Sequence, residues 1–234
     1  MKSPRLSKTD ETANSLREWI YSHGMRTGDL LPSESELCVE LGIGRNSLRE
    51  AVRTLKATGV LEVRQGDGTY VAELSLQSMT DELIFHSRLA ISDNATYLRY
   101  LSEVRESLEQ GLITNLITNG FNPDFEKLQL LLDKMDEEAK SGFVTSRTDR
   151  AFHEELLAPL ENPLGILLLR VFWRIFDELL EPYHDHTAAA KSADRHHAIL
   201  LAVKAADSRG ARIAMHTHFD SLRERIGGRN FPIK

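Results

Sequence analysis

Residues 28–71 decide the fold of the first part of this chain and read GDLLPSESELCVELGIGRNSLREAVRTLKATGVLEVRQGDGTYV. Ser33, with Glu36 three positions later, is a capping box that predicts the start of a helix. Gly42 is placed to end that helix with a positive φ. A second helix is predicted at about 45–58, and the glycines at 66–68 predict the turn of a two-stranded hairpin. This order of elements is that of a winged helix-turn-helix, which places one helix in the major groove of DNA.

The second predicted helix carries a basic stripe. Its arginines and its lysine fall within an arc of roughly 80°, and Glu50 is expected to point away from it. Charge runs on helices are usually solvated faces, but this one lies on the helix that would enter the groove. Arginine bonds guanine edges and pairs with phosphates. We therefore expect DNA contacts from this helix and from the hairpin tip, at Arg45, Asn46, Ser47, Arg49, Arg53, Lys56, Arg64 and Gln65.

Over residues 16–71 the chain resembles the GntR family of bacterial transcription regulators. The matching positions are Gly28, Leu31, Pro32, Ser33, Glu34, Leu41, Gly42, Arg45, Arg49, Glu50, Ala51, Gly66, Gly68 and Val71. The resemblance implies DNA contacts at Arg45, at Arg49 and at the wing tip around Gly66. The chain departs from the pattern at Ser35, where the family often has arginine, and at Gly44, where serine or threonine is common. Glycine can cap a helix but donates no hydroxyl to a phosphate, so we expect a different operator preference.

Composition and charge limit the kinds of protein that this chain can be. The chain has 234 residues, of which 41% are hydrophobic, and a net charge of −6. Residues 1–75 contain 10 Lys/Arg and 11 Asp/Glu, so DNA affinity must come from a local basic surface. The single cysteine, Cys38, excludes an internal disulfide. We find no signal peptide, and the most apolar run is too short and too charged to span a bilayer. We therefore expect a cytoplasmic protein without a membrane partner.

The remainder of the chain shows no strand pattern and no internal repeat. We expect residues 1–75 to form the winged helix-turn-helix domain, with a first helix at about 9–22, and residues 76–234 to form an all-helical bundle of about six or seven helices. Asn122-Pro123 and Asn162-Pro163 are each expected to begin a helix. The helix after Asn162 is apolar on nearly every side, which predicts the centre of the bundle. The predicted helices span about 79–90, 95–118, 122–140, 146–157, 162–180, 189–206 and 208–226.

Histidine and aspartate positions indicate a metal site. Asp149 and His153 are four residues apart on one predicted helix and share a face, while His196 and His218 lie on the last two helices, which can pack beside it. Three imidazoles and one carboxylate suit Zn²⁺ best, with Ni²⁺, Mn²⁺ or Fe²⁺ as alternatives, over Ca²⁺ or Mg²⁺. By themselves these residues are a weak signal, because an Asp-x-x-x-His pair is more often a surface hydrogen bond.

A second resemblance supports the metal site. Residues 79–228 are similar to the metal-containing ligand-binding domain, called FCD, of the FadR-type branch of the same family. The motif matches Asp149, His153, Asn162, Pro163, His196, Ala202, Asp207 and His218, and its spacing selects His196 over His197 and His218 over His216. In the family a carboxylate effector sits beside the metal, near an arginine of an R-x-x-L-E motif. The match here is Arg105, and Arg174 is a second ligand candidate. Their alternatives are local ion pairs with Glu109 and with Asp177 or Glu178, respectively.

The leading hypothesis is a DNA-binding transcription regulator, a homodimeric repressor that reads a palindromic operator on double-stranded DNA and senses a small organic acid. The main rival is a metal-dependent hydrolase built on the same four residues, although that leaves the amino-terminal module unexplained. Two further alternatives make the metal the signal itself or give it a purely structural role.

Overall fold

The computed structural model describes residues 8–91, 96–180 and 184–227. The chain divides into two compact units, Met1–Met79 and Thr80–Lys234. The division falls inside the helix Gln77–Ile91, whereas the sequence places the boundary just before that helix.

The first unit is a winged helix-turn-helix. It contains α1 (Lys8–Ser22), α2 (Glu34–Leu41), α3 (Arg45–Ala57), β1 (Leu61–Arg64) and β2 (Gly68–Val71). The strands are antiparallel, with Leu61 opposite Val71 and Arg64 opposite Gly68. One apolar core joins the three helices and the first strand, at Ala13, Leu16, Ile20, Leu31, Leu37, Leu48, Ala51, Leu55 and Leu61.

Local signals place the turns of this unit where the sequence predicts them. Ser33 accepts from the backbone N–H of Glu36, whose side chain in turn accepts from the backbone of Ser33, so both halves of the capping box form. Gly42 ends α2 with φ 64°. At Gly68, φ is 148°, a backbone conformation that residues with a Cβ rarely adopt, so glycine is favoured at that end of the wing.

The second unit is all-helical in the part of the chain that the structure describes, which confirms the predicted fold class. Its elements are α4 (Gln77–Ile91), α5 (Thr96–Thr118), α6 (Phe125–Lys140), α7 (Ser146–Leu157), a 3₁₀ turn (Ala158–Leu160), α8 (Pro163–Leu179), α9 (His186–Lys204), α10 (Ser208–His218) and α11 (Asp220–Gly227). The predicted first residue of α5, Ala95, lies outside the described residues. None of the described helices is long and apolar enough to cross a membrane.

Two of the differences from the predicted helix boundaries have a clear physical reason. The cap of α6 is Asp124, whose carboxylate accepts from the backbone N–H groups of Glu126 and Lys127, so Asn122-Pro123 precedes the helix instead of starting it. The predicted helix at 208–226 is interrupted at Phe219, which is fully buried and separates α10 from α11. Burial of this aromatic ring takes precedence over continuous helical periodicity.

The largest apolar cluster recorded among the described residues lies among α5, α6, α7, α9 and α10, not around α8. The helix α8 contributes Leu169 and Trp173 to a smaller cluster with Leu112 and Leu157. Leu164 is 50% exposed, and the side chain of Arg170 is 57% exposed beside Glu154. The expectation that α8 is the centre of the bundle is therefore wrong, because one side of it faces solvent.

Candidate metal centre and nucleic-acid interface

Four predicted side chains meet inside the helical unit. Asp149 and His153 project from α7, His196 from α9, and His218 from the last turn of α10. Each offers one ligand atom, and these atoms all lie within 4.8 Å of one another. His153 and His196 are completely buried, whereas the side chain of Asp149 keeps 23% exposure. The cluster is thus enclosed by helices but reachable at Asp149.

Hydrogen bonds orient the ring of His196. Its Nδ1 lies 2.7 Å from the backbone oxygen of Ser192, and its Nε2 lies 3.0 Å from Oδ1 of Asp149. A carbonyl oxygen only accepts, so Nδ1 carries the proton and the lone pair of a neutral ring points at the carboxylate. Two acceptors so close together need a proton or a cation between them, which is the arrangement that outer contacts impose on a metal-binding histidine.

A carboxylate lies close to one nitrogen of His153. Its Nδ1 lies 2.7 Å from Oε2 of Glu109, and its Nε2 lies 3.9 Å from Oδ1 of Asp149. The Nε2 of His153 and the Nδ1 of His218 are buried without a hydrogen-bond partner among the described residues. Leaving such nitrogens unsatisfied costs about 1–3 kcal/mol each. A transition-metal ion would accept lone pairs at such a site, so the residues present fit the predicted ion.

The protonation states of the buried side chains favour binding of a cation by the cluster. Burial would raise the pKa of Glu109, but the charges of His153 and Arg105 lower it to about 2. Burial likewise opposes ionisation of Asp149, yet the close contact with Nε2 of His196 and the charge of His153 hold its pKa well below the usual range. Burial and the neighbouring imidazoles lower the pKa of His218 well below its ordinary value. At neutral pH the cluster therefore combines ionised carboxylates with an unprotonated His218.

Replacing Glu109 with glutamine in chelator-treated, metal-free protein tests the interactions of Glu109 with His153 and Arg105. Folding lowers the pKa of Glu109 from 4.5 to about 2, which stabilises the native state by on the order of 3 kcal/mol. That contribution is lost as pH falls from about 4.5 towards 2. The pKa of His153 is raised because the attraction of Glu109 outweighs burial, so the pair also weakens as pH rises through that raised value.

We therefore expect the stability difference between wild type and Glu109→Gln to be largest at about pH 5–6.5. It should shrink on both the acid and the alkaline side, as measured by urea unfolding across pH. A difference that is the same at every pH would contradict the ionised pair.

Arg105 lies beside the cluster. Its Nε donates to Oε1 of Glu109 at 2.7 Å, and its Nη2 lies 3.7 Å from Oδ2 of Asp149. Nη2 is buried and has no hydrogen bond to any described residue. The pair with Glu109 is the alternative that the sequence left open, and it leaves the outer end of the guanidinium directed at the cluster.

Arg174 has a different partner from any that the sequence indicates. Its Nη2 donates to Oδ1 of Asp81 on α4 at 2.9 Å. The expected partners are engaged elsewhere, since Asp177 accepts from Arg150 and Glu178 from Arg88. The expected local pair is therefore wrong, and the bond to Asp81 replaces it.

Two residues that interact with the cluster were not predicted from the sequence as part of it. Glu109 was expected only as the partner of Arg105, but it also contacts His153. Arg225, on α11, is partly buried, and Asp149 and Asp177 act on its charge while burial lowers its pKa. The helical spacing of Glu109 gave a partial signal, because it shares a face with Arg105. For Arg225 no signal existed, because only the turn at Phe219 brings α11 back to the cluster.

The predicted DNA-contacting residues are accessible in the first unit. Arg45, Asn46, Arg49 and Arg53 are exposed on α3, Ser47 is half-buried beside them, and Arg64, Gln65 and Gly66 are exposed at the wing. Gly44 caps α3 without a side-chain hydrogen bond, as expected from its lack of a hydroxyl.

Ion pairs hold two of the exposed arginines of α3. The Nη2 of Arg49 lies 3.1 Å from Oε2 of Glu34 at the start of α2. The Nη1 of Arg53 lies 2.6 Å from Oε1 of Glu50, so the expectation that Glu50 points away from the stripe is wrong. Exposed pairs of this kind contribute about 0–1 kcal/mol. They leave both guanidinium groups available to exchange a carboxylate for a phosphate or a base edge.

Comparison with known proteins covers both units. Residues 8–71 match the model described as "Bacterial regulatory proteins, gntR family", and residues 100–221 match the FCD domain. A protein of Escherichia coli (strain K12) named for regulation of the L-lactate dehydrogenase operon is 30% identical over 222 residues, which are 92% of this chain and 83% of that protein.

Two further relatives extend over nearly the whole chain. The HTH-type transcriptional regulator LutR of Bacillus subtilis (strain 168) is 28% identical, over 89% of this chain and 96% of its own length. The solved structure "Streptococcus agalactiae GntR" is 28% identical, with a TM-score of 0.65, and covers 92% of this chain and 99% of that one. These relatives therefore align with both units of the chain.

Proposed function

This chain belongs to the GntR family of bacterial regulatory proteins and carries an FCD domain, and on that premise we propose that it is a repressor released by a small carboxylate bound beside a metal ion. Its relatives and domains indicate a DNA-binding transcription regulator and not an enzyme. The hydrolase alternative is therefore set aside.

One observation carries the effector proposal: Arg105 presents a hydrogen-bonding edge beside the four-residue cluster. Its Nη2 is buried and lies 3.7 Å from Asp149, while Glu109 holds the other side of the guanidinium. A planar guanidinium recognises a carboxylate by bonding both oxygens. A short acid entering past the partly exposed Asp149 would thus meet a fixed positive group.

The ion would be held by Asp149, His153, His196 and His218. We propose Zn²⁺, with Ni²⁺, Mn²⁺ or Fe²⁺ as alternatives, because three imidazoles and one carboxylate are ligands of intermediate softness. When bound, the metal would supply a Lewis-acidic position for a carboxylate oxygen. Glu109 and Ser192 would fix the rings of His153 and His196, respectively. Arg105 would orient the acid.

The acid that we propose first is L-lactate, because the Escherichia coli relative is named for regulation of an L-lactate dehydrogenase operon. The operator contacts that we propose are Arg45, Asn46, Ser47, Arg49, Arg53, Gln65 and Gly66. We further propose a homodimer on a palindromic operator, since two-fold symmetry of the protein is matched by two-fold symmetry of the site.

The test of this function is an operator-binding titration with the full chain, DNA from upstream of its own gene, Zn²⁺ and L-lactate. We expect L-lactate to weaken the complex with wild-type protein. For Arg105→Gln we expect about 10- to 100-fold more L-lactate to be needed, since a charged hydrogen bond contributes about 1.5–3 kcal/mol. Affinity is read from fluorescence anisotropy of labelled DNA.

Arg99→Gln is the matched control, because Arg99 lies on the same helix and pairs on the surface with Glu103. It should respond to L-lactate as wild type does. Failure of every short acid to shift the titration would overturn the effector proposal. An equal response of the Arg105→Gln and wild-type proteins would overturn the role of Arg105.

A further inference from the structure

A second concave surface lies outside the metal cluster, between α5 and α10. It is an open depression of about 420 Å³, lined by Gln110, Arg209, Arg212, Ile213 and His216. The α10 residues follow helical spacing and are all exposed, so they form one face of that helix. We call this surface the outer pocket.

The outer pocket is positively charged within a chain whose net charge is −6. No aspartate or glutamate is among its lining residues. Arg209 and Arg212 form no ion pair and no hydrogen bond with any residue that the structure describes, unlike Arg49, Arg53 and Arg105. Two uncompensated guanidinium groups, three positions apart on one helix face, attract a dianion more strongly than a monoanion.

Glu106 contacts two of the lining residues of the outer pocket, and its charge is balanced by Arg223. Its Oε1 lies 2.5 Å from Nδ1 of His216 and accepts from Nε2 of Gln110 at 2.9 Å, while its Oε2 accepts from Arg223. The buried Glu106 therefore holds two lining side chains in place without offering its charge to the arginines. Fixing Gln110 and His216 in this way lowers part of the entropic cost of binding.

We propose that the outer pocket binds a small phosphate monoester, with the phosphate on Arg209 and Arg212 and the carbon skeleton against Ile213. Arginine pairs with phosphate oxygens through two parallel hydrogen bonds. Ile213 is 56% exposed and supplies an apolar surface next to the charges. A volume of about 420 Å³ falls in the range of about 300–1,000 Å³ that is usual for small-molecule sites. This assignment goes beyond the carboxylate effector, because it uses a different helix face and no metal ligand.

The experiment is calorimetric titration of the full chain with D-ribose 5-phosphate, with D-ribose and succinate as comparison ligands, in a buffer without phosphate. We expect D-ribose 5-phosphate to bind and D-ribose not to bind. The double variant Arg209→Gln/Arg212→Gln should bind at least about tenfold more weakly, as expected for lost charged hydrogen bonds. Both side chains are exposed, so the variant should fold, and circular dichroism checks this.

Arg147→Gln is the matched control, because Arg147 is also exposed on the helical unit and likewise forms no ion pair with a described residue. It should bind D-ribose 5-phosphate as wild type does. The His196→Ala protein should also bind it, which separates this site from the metal-linked one. The proposal would be wrong if D-ribose 5-phosphate did not bind, or if Arg147→Gln weakened its binding as much as the double variant does. It would also be wrong if succinate binding depended on Arg209 and Arg212 as strongly as phosphate binding does.

Discussion

Replacing Arg49 with alanine is expected to abolish the preference for the operator over unrelated DNA. Arg49 is exposed on α3, and its guanidinium is oriented by Glu34 through contacts of 3.1 Å to 3.3 Å. A bidentate contact to a base contributes about 1–3 kcal/mol of discrimination. Removing the arginine also leaves Glu34 uncompensated next to the phosphates, which adds repulsion to the lost contact. We therefore expect operator affinity to fall by at least about 100-fold.

The measurement is an anisotropy titration with the operator fragment and with a scrambled fragment at two salt concentrations. Wild-type affinity should fall steeply with salt, because phosphate contacts release counterions. Arg26→Ala is the control, because Arg26 is an exposed arginine of the same unit outside α3. If Arg49→Ala kept the wild-type ratio of operator to scrambled affinity, the assignment of α3 to the major groove would be wrong.

Replacing His196 with alanine is expected to remove bound Zn²⁺ and, with it, the response to L-lactate. His196 is completely buried, and its Nε2 faces Asp149 at 3.0 Å. Loss of one of four ligands should weaken metal binding by more than the roughly 10- to 100-fold that loss of an outer contact causes. Metal content by mass spectrometry and operator titration with L-lactate are the two readouts.

The adjacent His197 gives a closely matched control. It lies on the next helix position, is partly exposed, and contacts Asp136 at 3.0 Å on the surface. His197→Ala should keep both the metal and the lactate response. Equal metal content in His196→Ala and wild type would contradict the proposed ligand set.

Chelation of the wild-type protein separates the roles of the metal. Loss of the lactate response supports the effector proposal. A lower melting temperature with an unchanged response would make the ion structural. An operator affinity that follows Zn²⁺ and ignores every acid would make the metal the signal.

Short-range features were predictable because their hydrogen bonds join residues close together in the chain. The Ser33 capping box, the end of α2 at Gly42 and the wing turn depend only on groups a few residues apart in the chain, and each forms as expected. At the start of α6 two local signals competed. The Asp124 carboxylate accepts from two backbone N–H groups, which the amide of Asn122 does not match.

The amino-acid sequence by itself determined the helix-turn-helix, the basic face of α3 and the sharing of one helix face by Asp149 and His153, because each follows from helical or turn periodicity. Tertiary structure alone decided that Glu109 contacts His153, that Arg174 binds Asp81 and that Phe219 divides the last helix. It also decided that Arg209 and Arg212 have no ion-pair partner among residues 8–91, 96–180 and 184–227. These outcomes depend on which helices pack together. Packing is set by which apolar faces bury against one another. The spacing of apolar residues shows that a helix has such a face, but not which other face it packs against.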